Sequence, residues 1–201
     1  MEVNRTHKRE TNLIREIPIA STKVIDEEKR EVELSFSSET PYRRFWGVEI
    51  LDHSEGAVDL TRLNDIGVLL FNHDTDKVIG RVVTASVENN RGTARVRFDE
   101  DEVSELIFKK VVSGTLRTVS VGYSVSEWED VGEGKTSKDG RFKGEASIAR
   151  RWTPLEISIV SVPADPTVGV GRSFESQEDD IKDYECRLNL NYNILRRQRK
   201  R

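Results

Sequence analysis

The chain of 201 residues carries one cysteine, one methionine and three histidines. A single thiol, Cys186, excludes an intrachain disulfide and any zinc cluster built on thiolates. No apolar run approaches the ~20 residues that span a bilayer. The opening stretch, "MEVNRTHKRETNLIREIP", lacks the apolar core of a signal peptide, so an intracellular, reducing setting is expected. Positive charge is not in excess either. A net charge of -4 excludes a global basic footprint for nucleic acid. Hydrophobic residues make up 35% and charged ones 34%, a polar balance for a globule, so part of the length is expected to be exposed or disordered. There is no internal repeat and no strand–helix alternation of the parallel α/β kind.

What is present is a series of short strands around one good helix. Residues 1–28 read as a charged arm, with one strand near Leu13 to Ile19. "EVELSFSS" alternates Val32, Leu34 and Phe36 as a half-buried strand, and "FWGVEIL" is a second candidate. Asp59 is a plausible N-cap for a helical turn over Leu60 to Asn64. "VIGRVVTASVENNRGTARVRFD" predicts a hairpin that turns at Asn89 to Gly92. "DEDEVSELIFKKVVSG" predicts a helix with Asp99 and Glu102 as a capping pair, and Val103, Leu106, Ile107 and Val111 as its apolar face. "EDVGEGKTSKDGRFKGEAS" is a polar, glycine-rich loop, expected to be mobile. It holds the end of a phosphate-binding pattern, but Glu129 stands where the first glycine is needed. "LEISIVSV" is the last strong strand. Beyond it the chain turns acidic and then basic, ending "RRQRKR". The predicted class is α+β: a mainly antiparallel β-barrel or strongly curved sheet surrounded by a few helices. Its predicted limits are 29–171, with a charged tail over 172–201.

Three positions stand out within these strands. In "TLRTVSVGYSVSEW", Val119, Val121, Tyr123 and Val125 face one way, and Ser120, Gly122, Ser124 and Ser126 the other. A face of small hydroxyl residues is either a tightly packed inner wall or a place for a serine nucleophile, with Gly122 leaving room beside Ser120. His73 ends the apolar run "VLLFNHD". A strand-end histidine is either a surface turn residue or a general base with one packed and one exposed edge. Glu156 stands among Leu155, Ile157, Ile159 and Val160 and shares a face with Ser158. It is either an edge residue facing water or a buried carboxylate that needs a partner such as a histidine N–H.

Taken together, "FNHD", "SGTLRTVSVGYSV" followed by a tryptophan, and "WTPLEISIVSVPADP" resemble the prohead maturation proteases of tailed bacteriophages, over residues 31–171. "ILDHSEGAVDLTRLND" and "VIGRV" look like that family too. The family is similar in fold and mechanism to the herpesvirus assemblin proteases, a β-barrel surrounded by helices. The resemblance implies a serine endopeptidase inside the immature capsid, within the host cytoplasm. It would cut scaffold segments, the capsid-protein precursor and itself, with no cofactor. It implies Ser120 as nucleophile, His73 as base and Glu156 as the group that orients the histidine. His53 competes for that third role, because the herpesvirus enzymes use a second histidine. Arg150 and Arg151 are either donors near an oxyanion site, by the same likeness, or loop surface charges. The expected partners are the major capsid protein precursor and its scaffold segment. The herpesvirus likeness implies a homodimer or higher self-association, no membrane is expected, and nucleic acid would be met only through the basic tail. The competing class is a non-enzymatic barrel that binds capsid, with the serine face merely packed.

Overall fold

A computed structural model describes residues 13–18, 23–44 and 46–162. The expected tail over 172–201, with Cys186, and His7 in the arm lie outside the described residues. The chain parts into two units, Met1–Val162 and Pro163–Arg201; the architecture below is that of the first.

Among the described residues, ten strands and two helices run in the order β1 (Leu13–Pro18), β2 (Lys23–Asp26), β3 (Glu31–Ser38), β4 (Tyr42–Arg44), β5 (Gly47–Leu51), α1 (Thr61–Ile66), β6 (Val68–Phe71), β7 (Asp74–Glu88), β8 (Arg91–Phe98), α2 (Glu102–Val112), β9 (Thr118–Val131) and β10 (Ala146–Val160). They form one sheet, β1-β9-β10-β6-β7-β8-β3-β2, with β5 added to β10 and β4 to β5. The sheet curls into a half-barrel, which brings β3 against β1 and β9 although they lie far apart in strand order. Pairing is mainly antiparallel, as expected, but β10 pairs in parallel with both β5 and β6. Two strands of the expected arm belong to this sheet: β1 pairs with β9 and β2 with β3.

The core fills the inside of the curl. Val32, Leu34, Phe36, Val96, Val119, Val121, Tyr123, Trp152, Ile157 and Ile159 are all buried there. Alternation works well where one face is wet, as in β8, but β9 is buried on both faces from Thr118 to Tyr123. Its serine face is therefore an interior surface, neighboured by β1 and β10.

Both helices depart from expectation. Leu60, not Asp59, occupies the N-cap of α1, and the Asp59 carboxylate instead accepts from the Thr61 N–H at 3.0 Å. In α2 the cap is Asp101, whose Oδ1 accepts from the N–H groups of Val103 and Ser104. The cap sets where the helix starts, and its buried residues are Ser104, Ile107, Phe108 and Val111. Val103 and Leu106 stay more than half exposed. The glycine-rich loop is also tied down. Arg141 within it pairs with Asp52 at 2.8 Å and with Glu39.

Candidate active site

The site begins with a turn. Phe71 and Asp74 pair across the β6–β7 hairpin, leaving Asn72 and His73 as its two central residues, at φ 56° and 58°. Two positive φ values make a type I′ turn, whose twist suits a tight hairpin. Asn and His tolerate the left-handed region better than most side chains. The turn is pinned onto β10. The Asn72 N–H donates to the Ile159 carbonyl at 2.9 Å, and Asn72 Oδ1 accepts from the Ser161 N–H at 2.8 Å. The His73 N–H donates to Ser158 Oγ at 3.1 Å.

Beneath the turn, β10 separates β6 from β9. Ser158 is paired with Leu70 on one side and with Ser120 on the other. The imidazole reaches across β10 to β9, and His73 Nε2 lies 2.7 Å from Ser120 Oγ. Its other nitrogen, Nδ1, lies 2.7 Å from Glu156 Oε1. Glu156 Oε2 accepts from the Ser158 hydroxyl, also at 2.7 Å. An ionised carboxylate can only accept, so the proton sits on Nδ1 and the Nε2 lone pair faces the Ser120 hydroxyl. A serine with its proton directed at an oriented imidazole is equipped for nucleophilic attack.

Glu156 owes its position to an irregularity. Pro154 pairs with Tyr123 and Glu156 with Gly122, so Leu155 is the extra residue of a β-bulge. Proline, which has no N–H, is tolerated at such a point, and bulges re-aim the side chains that follow. The Leu155 carbonyl accepts from Arg62 Nε at 3.2 Å. Opposite the bulge, Gly122 answers what the glycine on the serine face is for. A Cβ there would come within 2.5 Å of Glu156 Oε1. The room lies beside Ser120, as expected, and the carboxylate fills it.

The other candidates lie apart from this chain of bonds. His53 is buried, with Nε2 2.7 Å from Ser37 Oγ and Nδ1 donating to the Leu51 carbonyl at 2.9 Å. Desolvation lowers its pKa to about 4, against the pull of its hydrogen bond to Leu51. Glu156, not His53, holds Nδ1 of His73. Arg150 bonds Asp52 at 2.6 Å, and Asp139 and Glu129 at 2.7 Å each. The Asp139 bond pushes the guanidinium pKa further up, and Arg150 in turn holds Asp139 below the usual carboxylate range. Arg151 is 70% exposed against Glu127, as a surface charge would be. Ser158 was not singled out for a role. Its signal was the spacing Glu156-x-Ser158, which puts both on one strand face. No group of residues able to hold a metal occurs among the described residues, and no helix there is long and apolar enough to cross a membrane.

The chain is 41% identical over 152 residues to the major capsid protein of Halomonas phage phiHAP-1, covering 74% of this chain and 24% of that protein. It thus spans about a quarter of the length of the curated relative it matches. No solved structure matches it significantly. A family model described as caudovirus prohead serine protease matches residues 51–181. That stretch holds the β6–β7 turn, the strand of Ser120 and the bulge of Glu156, and the chain belongs to the caudovirus prohead serine protease family.

Proposed function

We propose that this chain is a serine endopeptidase of capsid maturation, with Ser120 as nucleophile, His73 as general base and acid, and Glu156 as the orienting carboxylate. The observation that carries the reading is the unbroken run from Ser120 Oγ through His73 to Glu156, at 2.7 Å on each side of the imidazole. His73 takes the hydroxyl proton as Ser120 attacks a peptide carbonyl. The imidazolium, stabilised by Glu156, then protonates the leaving amine. Water releases the acyl group by the same route. The substrates are the capsid-protein precursor, its scaffold segment and the enzyme itself, inside the prohead. Family membership supports the class of reaction, and the relative named a major capsid protein supports the partner.

That relative's name also favours a second reading, in which the domain serves the capsid as a non-enzymatic module. Co-expression with the matching capsid-protein precursor separates the two. Intact mass is expected to show processed precursor with the wild-type chain and unprocessed precursor with Ser120→Ala. Equal processing with both variants, or none with either, would leave the module reading standing.

A further inference from the structure

Ser120 has no exposed surface, although the His73 and Glu156 side chains keep 20% and 16% of theirs. A nucleophile must meet its substrate, so its cover is informative. That cover includes β1, which pairs antiparallel with β9 from Leu13↔Tyr123 to Pro18↔Thr118 and sets Glu16 opposite Ser120. It is the terminal strand of the sheet order. Edge addition of an extended segment is a common way for proteins to hold a peptide. Here the added segment runs past the nucleophile on both sides. The peptide carbonyl facing Ser120 Oγ is that of Arg15, at 3.1 Å. The single hydroxyl proton can serve that oxygen or His73 Nε2, but not both at once.

From Leu13 to Arg15 the side chains of β1 alternate as a bound peptide's would. Leu13 and Arg15 are buried, and Ile14 is 46% exposed. Arg15 Nη1 lies 3.9 Å from Glu49 Oε1, its Nη2 donates to the Thr40 carbonyl, and its guanidinium lies 5.3 Å from the centre of the Tyr42 ring. The pocket does not depend on Arg15. Glu49 already accepts from Arg44 Nη2 at 3.2 Å and from the Tyr123 hydroxyl. Arg15 Nε and Nη1 are buried and make no hydrogen bond. Arginines built into a core satisfy most of their donors. This one is a loosely bonded cation beside the Glu49 carboxylate, whose Oε2 is buried without a hydrogen bond, in a pocket that β4, β5 and β9 assemble on their own.

We propose that β1 lies where a substrate strand lies, that the Glu49 pocket selects a basic side chain on the acyl side of the cut bond, and that the enzyme cleaves its own chain between Arg15 and Glu16. The inference rests on the protease reading. Ser120 Oγ bonds to the Arg15 carbonyl carbon while His73 Nε2 takes the hydroxyl proton. The Arg15–Glu16 C–N bond breaks, and that proton passes to the Glu16 nitrogen. Water then adds to the acyl carbon and restores the hydroxyl. The products are a chain ending in the Arg15 carboxylate and one beginning at Glu16, and the cut frees the strand that covers Ser120.

The test uses the full chain. Intact mass after incubation is expected to show a species beginning at Glu16 for wild type and none for Ser120→Ala. In trans, a peptide copying residues 12–18 is compared with the same peptide carrying glutamine in place of Arg15. The arginine peptide is expected to have ~100-fold higher kcat/KM, because the shorter, neutral glutamine brings no charge toward Glu49 and loses the donor to the Thr40 carbonyl. The peptide pair needs no altered enzyme, so it is independent of whether Glu49→Gln folds. Ser120-dependent hydrolysis that treats both peptides alike overturns the pocket while the protease reading stands. Arginine preference with an intact arm overturns the self-cleavage. No Ser120-dependent cleavage of either peptide or of capsid precursor overturns the protease reading, and this inference with it.

Discussion

Among the described residues are two imidazole–hydroxyl pairs of the same length. His73 Nε2 is 2.7 Å from Ser120 Oγ, and His53 Nε2 is 2.7 Å from Ser37 Oγ. Both rings carry their proton on Nδ1 and offer Nε2 to a serine. What differs is the group behind each ring. The Leu51 carbonyl orients His53 but brings no formal charge to hold an imidazolium, whereas Glu156 does. Burial holds His53 neutral until about pH 4. The cover differs as well. Ser120 lies beside an edge strand, whereas Ser37 is packed so closely that a Cβ on Gly92 would come within 2.2 Å of its Oγ. A short Ser–His contact therefore does not make a nucleophile by itself. In the proposed reading, the nucleophile is marked by a charged partner behind the ring and an edge strand in front of it.

The widest separation between the pairs is expected from removing the two hydroxyls. Ser120→Ala is expected to lower turnover of capsid precursor by ~10⁶-fold, while Ser37→Ala leaves it unchanged. Comparable losses from both would erase the distinction. Next is the group behind the ring. Glu156→Gln removes the charge and frees the tautomer, with an expected loss of ~10⁴-fold in kcat measured on the same substrate. Smaller again is Gly122→Ala, whose Cβ would crowd Glu156 Oε1. Displacing that carboxylate by about 1 Å is expected to cost ~10²-fold in kcat, with thermal unfolding showing an intact fold.

The smallest effect falls on the other histidine and on stability. His53 has a folded pKa of about 4, below its unfolded value of about 6.5. The unfolded chain takes up that proton first as pH falls. Its contribution is complete above about pH 6.5 and is lost between there and about pH 4, by about 3 kcal/mol at most. Denaturant unfolding across this window is expected to show a shallower pH slope for His53→Gln than for wild type. Equal slopes would mean that His53 titrates normally.

Much of the strand pattern was legible because burial on one face writes a period of two. β3, the β7–β8 hairpin, β9 and the second part of β10 follow runs that alternation marks, whereas residues 146–154 of β10 were not marked. The face of α2 was not, because Asp101 rather than Asp99 caps it, and apolar type alone does not tell Val103 from Phe108. At the site, Ser120, His73 and Glu156 were visible as unusual residues for their strands. Their proximity was not, since His73 lies 47 residues from Ser120 and 83 from Glu156. That proximity comes from a type I′ turn at Asn72–His73 and a bulge at Leu155. The turn residues that end "GVLLFNHDTD" mark the first, though not its type, and the second had a signal only in a proline inside a strand. Arg15 could not be found from pattern. Its meaning lies in what it touches: Thr40 and Tyr42, Glu49, and Ser120, on three other segments of the chain.

Labelling with a fluorophosphonate, which reacts with activated serines, followed by peptide mapping tests the role of Ser120 most directly. One adduct is expected, on Ser120, that disappears in His73→Ala and persists in His53→Gln. An adduct on Ser37, or cleavage of capsid precursor that continues while Ser120 stays unmodified, would contradict that role.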